Sequence, residues 1–322
     1  MKNFGFLIVA AFVATLVLTG CVSSVDSTNP KAAIGLQITP TATPILVADE
    51  KGFFKDNGVD VEIKEFTAGK FALQAMLANS IDFASPAEVP VLLAKSQGND
   101  LYVLAEIASN KSESPLVVKD DGSLTVQEYF VKKRKIATSI GGSPEFSLYM
   151  FMRTYSVPKE NIEIIAQKPE EMVGALSSGS VDGVVIFEPY PSLAEKNVSG
   201  LKVFKLPDGV YSTKYLLVGN KHFVDNNPET AARIMKALAQ AEEFINSNPE
   251  ETKIIVAKRT KFDVEIINKI WPDFEFALKA PSRELEQNWH NQFVWAVDTN
   301  KTRAVSEPEM EETFRADLVV PV

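Results

Sequence analysis

Two stretches of this chain, one hundred residues apart, follow the same grammar. Residues 75–94 read AMLANSIDFASPAEVPVLLA and residues 175–194 read ALSSGSVDGVVIFEPYPSLA. At that offset Ala75/Ala175, Ser80/Ser180, Asp82/Asp182, Glu88/Glu188, Leu93/Leu193 and Ala94/Ala194 are identical, and Ile81/Val181 is a conservative match. Each stretch runs from a helix end through a tight polar turn to an Asp, then a short buried strand. Each then reaches Pro and Glu where a new helix starts. A chain that builds this unit twice is expected to fold as two α/β lobes of similar design, with something held between them. Its 322 residues exceed one ordinary core and suit two domains.

The flanking sequence alternates strand and helix. Residues 33–38 form an apolar run, and the Thr/Pro turn at 39–44 opens a helix bearing Ile45, Leu46, Val47 and Ala48 that stops at Gly52. Residues 59–66 alternate as a strand, 67–70 open a helix through 77, 81–84 are strand, 85–88 open a helix, and 101–107 are strand. A second series has strands at 135–140, 162–166, 181–187, 201–206 and 215–218, with helices at 145–155 and 169–176. The alternation predicts mostly parallel sheets covered on both faces.

From Asn227 onward the pattern is helical. Asn227-Pro228-Glu229 and Asn248-Pro249-Glu250 are caps, and Ser282 caps a helix carrying Leu285, Trp289, Phe293 and Ala296. Such stripes, including Ile234, Leu238, Ala241 and Ile245, predict packing on the first lobe, and the tryptophans are read as packing too. The crossings between lobes are placed near 118 and 212, as a two-strand hinge. The expected layout is a leader at 1–20, a linker at 21–31, lobe I at 32–117 and 213–322, and lobe II at 118–212.

The N-terminus sets location. One Lys precedes an apolar run over residues 4–18, and Leu18-Thr19-Gly20-Cys21 resembles a lipobox, where cleavage leaves Cys21 to carry lipid. An uncleaved anchor is the alternative. Cys21 is the only cysteine, which excludes an intrachain disulfide or a thiolate metal cluster. The protein is expected outside the cytoplasmic membrane, tethered by lipid. Its formal net charge of −9, without a basic stripe, argues against nucleic acid.

Four strand-to-helix turns rich in hydroxyls and small residues are the candidate ligand sites, at 39–43, 67–70, 85–88 and 139–145. Turns at the carboxyl ends of parallel strands lie where open α/β sheets bind ligands, and each exposes a helix N-terminus to an anion or acceptor. They offer Thr39, Thr41 and Ala42; Ala68 and Lys70; Ser85 and Ala87; and Gly142, Ser143 and Pro144. Taken singly, each hydroxyl is better read as the cap of its own helix, and it is the four turns together that point to a ligand. Glu145 suits the helix dipole and is expected to point away from a bound anion. Glu188, at the end of a buried strand, points into the cleft or pairs with a cation.

Enzyme signatures are thin. Lys64 stands where a P-loop ending at Gly69-Lys70 needs Gly, and there is no Gly-x-Ser-x-Gly elbow. His222 and His290 are far apart in sequence. No cofactor, metal or catalytic residue is expected.

Residues 48–66, ADEKGFFKDNGVDVEIKEF, together with Ser80-Ile81-Asp82-Phe83 and Phe187-Glu188-Pro189-Tyr190, resemble the extracytoplasmic solute-binding proteins of ABC transporters. The resemblance is to the branch that binds nitrate, taurine, alkanesulfonates and thiamin pyrimidine precursors, and it runs from about residue 34 to 194. It implies a type II periplasmic binding protein, with two doubly wound α/β lobes joined by a two-strand hinge and a helical C-terminal third packed on lobe I. Such a protein closes on one solute and docks, as a monomer, on a membrane permease and its ATPase. The family's ligand positions fall on Thr41, Ala68, Ser85, Gly142, Ser143 and Glu188. Asn79 stands where members commonly have Gly, and Lys70 where small residues are frequent. A sulfonate suits the N–H and hydroxyl groups best, with Glu188 receiving an amine as in taurine; nitrate, bicarbonate and thiamin pyrimidine precursors are further candidates. From another class, the pyrimidine synthases of this fold use histidine and a cysteine-rich iron segment, which this chain lacks. A lipoprotein sensor is the third reading.

Overall fold

The computed structural model describes residues 29–112, 114–303, 306–308, 313–315 and 317. The expected leader, most of the linker and the lipidation residue Cys21 lie outside the described residues. Among these residues no helix is long and apolar enough to cross a membrane.

The first apolar run becomes β1 (Lys31–Gln37), whose interior is buried, and the alternating run becomes β2 (Asp60–Phe66). They are followed by β3 (Phe83–Ser85), β4 (Leu101–Asn110), β5 (Leu116–Lys119), β6 (Arg134–Thr138) and β7 (Ile162–Ala166). The remainder are β8 (Gly183–Val185), β9 (Leu201–Phe204), β10 (Thr213–Asn220) and β11 (Phe274–Glu275). One sheet has the order β11-β4-β10-β3-β1-β2 and the other β7-β6-β8-β5-β9.

Both sheets are mixed, which corrects the mostly parallel expectation. In each, three strands run parallel, β2-β1-β3 and β7-β6-β8, and the next strand, β10 or β5, runs against them. The cause is the crossing. The parallel strands end at the face between the sheets, so a strand that enters from that face must run away from it. The chain passes from sheet to sheet through residues 111–115 and 205–212. The crossing expected near 118 falls inside β5; the structure puts that passage earlier.

The sequence echo is a structural one. Ser80 N–H donates to Ala75 O (2.9 Å) and Ser180 N–H to Ala175 O (3.0 Å). Asp82 N–H donates to Ala33 O (3.0 Å) while its carboxylate accepts Ala33 N–H (2.8 Å). Asp182 makes the same pair with Lys135 at 2.8 and 2.7 Å. The carbonyls of the two aspartates accept the N–H of Asn220 and Lys119, the last residues of β10 and β5. Each Asp therefore pins three strands of its sheet at the edge away from the cleft.

In the C-terminal third, the helices Pro228–Ser247 and Pro249–Thr260 pack on Thr43–Glu50, and Arg283–Asp298 packs on Glu88–Ser96, all first-lobe elements. Trp289 and Trp295 are fully buried there, as packing residues. The same third also reaches the second lobe. Lys196 and Glu195 pair with Asp263 and Lys269, both at 2.5 Å, and the Trp295 ring meets Phe146 at 5.5 Å.

Candidate functional site

A cleft of about 360 Å³, counting space open to solvent, lies between the two sheets at the carboxyl ends of their parallel strands. The first lobe contributes Gln37, Ala68, Gly69, Lys70, Ala87 and Pro90; the second contributes Ser139, Gly142, Ser143, Pro144 and Phe187. Ser114 comes from the first crossing segment and Tyr215 from β10. Six of the sequence candidates are on this wall: Ala68, Lys70, Ala87, Gly142, Ser143 and Pro144.

The wall is held by hydrogen bonds at the strand ends. Gln37, last residue of β1, accepts Gly69 N–H at 3.0 Å through Oε1 and donates through Nε2 to Thr39 Oγ1 at 3.1 Å. Thr39 Oγ1 lies 2.9 Å from Thr41 Oγ1. Thr39 and Thr41 thus stand behind Gln37, off the cleft wall, and Ala42 packs in the core of the first lobe. Gly69 has no room for a side chain, because a Cβ there would sit 2.8 Å from Pro86 Cα and 3.3 Å from Ser85 O. That approach brings the N-terminus of the helix Gly69–Leu77 against the 85–87 turn.

On the second lobe the turn after β6 leads to the helix Ser143–Thr154, with Gly141 at φ +73 and Pro144 in the first helical turn. Glu145 points away from the cleft, as expected: its carboxylate accepts Gly141 N–H at 2.7 Å and pairs with Lys301 at 2.7 Å. The helix start is thereby left to the wall residues. Ser143 is 4% exposed, and its Oγ, close to the Tyr211 hydroxyl, makes no hydrogen bond of ordinary geometry. The hydroxyls of Ser114 and Ser85 are likewise buried without a hydrogen bond. Ser114 is on the wall and Ser85 is not.

Lys70 Nζ donates to Ile140 O across the cleft at 2.8 Å. Desolvation by the surrounding wall lowers its pKa, partly opposed by the negative charge of Glu145. Among the described residues it is the one charged side chain on the wall, which holds no His, Cys, Asp or Glu. The wall offers donors and apolar surface, and among the described residues it carries no carboxylate, imidazole or thiol.

Two glutamates stand beside the cleft. Glu188 is not on the wall; its Oε2 accepts Ser192 N–H at 3.3 Å, at the start of the helix Tyr190–Asn197, and burial pushes its pKa up to about 7. Phe187, one residue earlier, faces the cleft in its place. Glu88 is fully buried, and burial pushes it up to about 7 as well. Its carboxylate accepts from Tyr211 Oη (2.9 Å), Gln292 Nε2 (3.0 Å), Asn288 Nδ2 (3.4 Å) and Lys214 N (3.0 Å). It ties the helix Glu88–Ser96 to the second crossing and to the helix Arg283–Asp298.

Of the wall residues absent from the sequence candidates, Gln37 carried a readable signal, a polar side chain closing an apolar strand. Gly69, Ser139 and Phe187 lie in segments already marked. Pro90, Ser114 and Tyr215 carried none.

A family model described as NMT1/THI5 like matches residues 39–252. The chain is 26% identical over 280 residues to a protein of Bacillus subtilis (strain 168) named "Putative aliphatic sulfonates-binding protein", covering 84% of this chain and 82% of that one. Among solved structures it resembles the periplasmic aliphatic sulphonate binding protein SsuA from Escherichia coli. The TM-score is 0.74 at 19% identity, over 88% of this chain and 91% of that one. It also resembles the periplasmic nitrate-binding protein NrtA from Synechocystis PCC 6803, with TM-score 0.71 at 19% identity, over 89% and 86%. These likenesses establish the two-lobed periplasmic binding protein fold.

Proposed function

The chain belongs to the NMT1/THI5-like family, and from that premise we propose that it is the solute-binding component of an ABC importer. It captures a small anionic solute, an alkanesulfonate before nitrate or bicarbonate, between its lobes and delivers it to a membrane permease with its ATPase. The observation that carries this reading is the shared wall, where helix starts from both lobes meet apolar surface and, among the described residues, no carboxylate or imidazole. Ser143 Oγ and the N–H groups at the helix starts supply donors for sulfonate oxygens, reinforced by the helix dipoles. Ala68, Ala87, Phe187 and Tyr215 take the carbon chain. Contacts from both lobes favour the closed state, which commits the solute to transport without chemical change. Cys21, lipidated after removal of residues 1–20, holds this monomer at the outer face of the membrane. Lobe I comprises the first sheet with the C-terminal helices and lobe II the second sheet.

Purified protein titrated with alkanesulfonates, nitrate, bicarbonate and a thiamin pyrimidine precursor tests the reading by melting temperature. Solute at a hundred times its Kd stabilises by about 2.7 kcal/mol, a shift of several degrees. Silence across the panel overturns the solute-binding reading, and a response to the pyrimidine alone replaces the sulfonate.

A further inference from the structure

The cleft has an asymmetry of charge that bears on which anion it accepts. Its wall is mostly apolar, its hydroxyls are neutral, and its one charged side chain among the described residues is Lys70. That lysine already reaches across to Ile140 O of the second lobe. An ammonium has three donors, so one bond to Ile140 leaves two for a ligand oxygen. A carboxylate that could receive a ligand ammonium is missing from the wall: Glu188 is turned onto Ser192 N–H, and Glu145 onto Gly141 N–H and Lys301. Glu88 is enclosed by its own four donors.

We infer that Lys70 is the specificity-determining residue of this cleft, joining the lobes and the ligand's negative charge through one ammonium, and that the cleft selects anions lacking a cationic group over zwitterions. The inference rests on the solute-binding reading above and narrows it. It also removes the amine-receiving role expected for Glu188. An anionic oxygen is a stronger acceptor for the ammonium than the Ile140 carbonyl, so arrival of the anion strengthens the bridge that closes the lobes. A ligand ammonium in the same small space meets Lys70 as a like charge and finds no carboxylate to offset its desolvation.

Ethanesulfonate and taurine are matched probes, since they differ by one ammonium group. Calorimetric titration of the purified chain is expected to show ethanesulfonate binding at least about tenfold tighter than taurine. Lys70→Met, with its unliganded melting temperature little changed, is expected to lose about tenfold or more for ethanesulfonate and to narrow the preference between the two probes. Lys70→Arg, which keeps the charge, is expected to retain most of the affinity. Equal binding of taurine and ethanesulfonate by the wild type overturns the charge selection. Undiminished ethanesulfonate binding by Lys70→Met overturns the role of Lys70. If the wild type binds no solute of either panel, the solute-binding reading itself fails, an outcome distinct from both.

Discussion

Glu88 and Glu188 occupy the same place in the two halves of the sequence echo, and the structure gives them different work. Upstream the halves agree bond for bond: the Ser80 and Ser180 turns, and the Asp82 and Asp182 pins. Beyond the short strand they part. Glu88 is sealed among donors from the second crossing and from the helix Arg283–Asp298, whereas Glu188 is half-buried and, among the described residues, accepts a hydrogen bond from its own helix start alone. The C-terminal helix Val264–Ile270 also packs on the helix that follows Glu188, but among the described residues it sends no hydrogen-bond donor to that carboxylate, as Asn288 and Gln292 do to Glu88. A repeated local unit fixes a strand and its turn, but the surroundings of its last residue depend on what the rest of the chain lays over it.

Truncating both glutamates is expected to give the largest difference. Glu88→Ala strands Tyr211, Gln292 and Lys214 N–H without their acceptor and leaves a buried gap, and is expected to cost about 4 kcal/mol. Glu188→Ala removes one cap and is expected to cost about 1 kcal/mol or less. Equal losses in urea unfolding mean the two residues are equivalents after all.

Acidity is what the two still share. Burial raises Glu88 from 4.5 to about 7 in the folded protein, so between those values the folded state binds the extra proton. Its contribution is complete below pH 4.5 and is lost as pH rises through 7. Over that window Glu88→Gln, which cannot ionise, is expected to flatten the pH dependence of stability by about 3 kcal/mol. Burial raises Glu188 to about 7 as well, so Glu188→Gln is expected to flatten the same pH window in the same direction. A slope unaltered in Glu88→Gln assigns the titration to other groups.

The aspartates probe the side of the comparison where the halves agree. Asp82→Asn and Asp182→Asn each weaken one charged acceptor at a strand N–H, and each is expected to cost about 1 kcal/mol, matched to within about 0.5 kcal/mol. A clear mismatch in unfolding midpoints shows that the shared spacing conceals unequal roles. The smallest effect is expected at the turns themselves. Asn79 has φ 57 and Gly179 φ 77, both left-handed, and Asn is among the residues that tolerate this region. Asn79→Gly relieves that strain and loses the bond from Asn220 Nδ2 at 2.8 Å, so melting temperature is expected to move by less than about 1 kcal/mol equivalent.

Much of the fold was legible because its signals are local. Alternation predicted β2, the Pro and Asn caps predicted the starts of Pro228–Ser247 and Pro249–Thr260, and the Gly141–Pro144 turn marked a cleft wall. Strand direction was less legible, since β5 and β10 carry the same buried apolar pattern as their parallel neighbours. Their antiparallel sense follows from where the chain crosses, which no window of residues records. Within the site, Thr39 and Thr41 read like ligand groups yet serve Gln37. A hydroxyl's partner is set by the side chain beside it in space.

The doubled α/β unit, with an Asp ahead of each short strand, and the turns where helices begin were legible in the amino-acid order, as products of hydrophobic period and backbone preference over a few residues; the bonds that make the two aspartates pins join residues 47 and 49 apart. The tertiary structure alone decided that Phe187 faces the cleft and Glu188 does not, that Ser114 and Tyr215 complete the wall, and that Lys70 reaches Ile140. Those outcomes depend on groups that lie far apart in the chain or on how a strand end is oriented, at distances that only the packing of the two sheets defines.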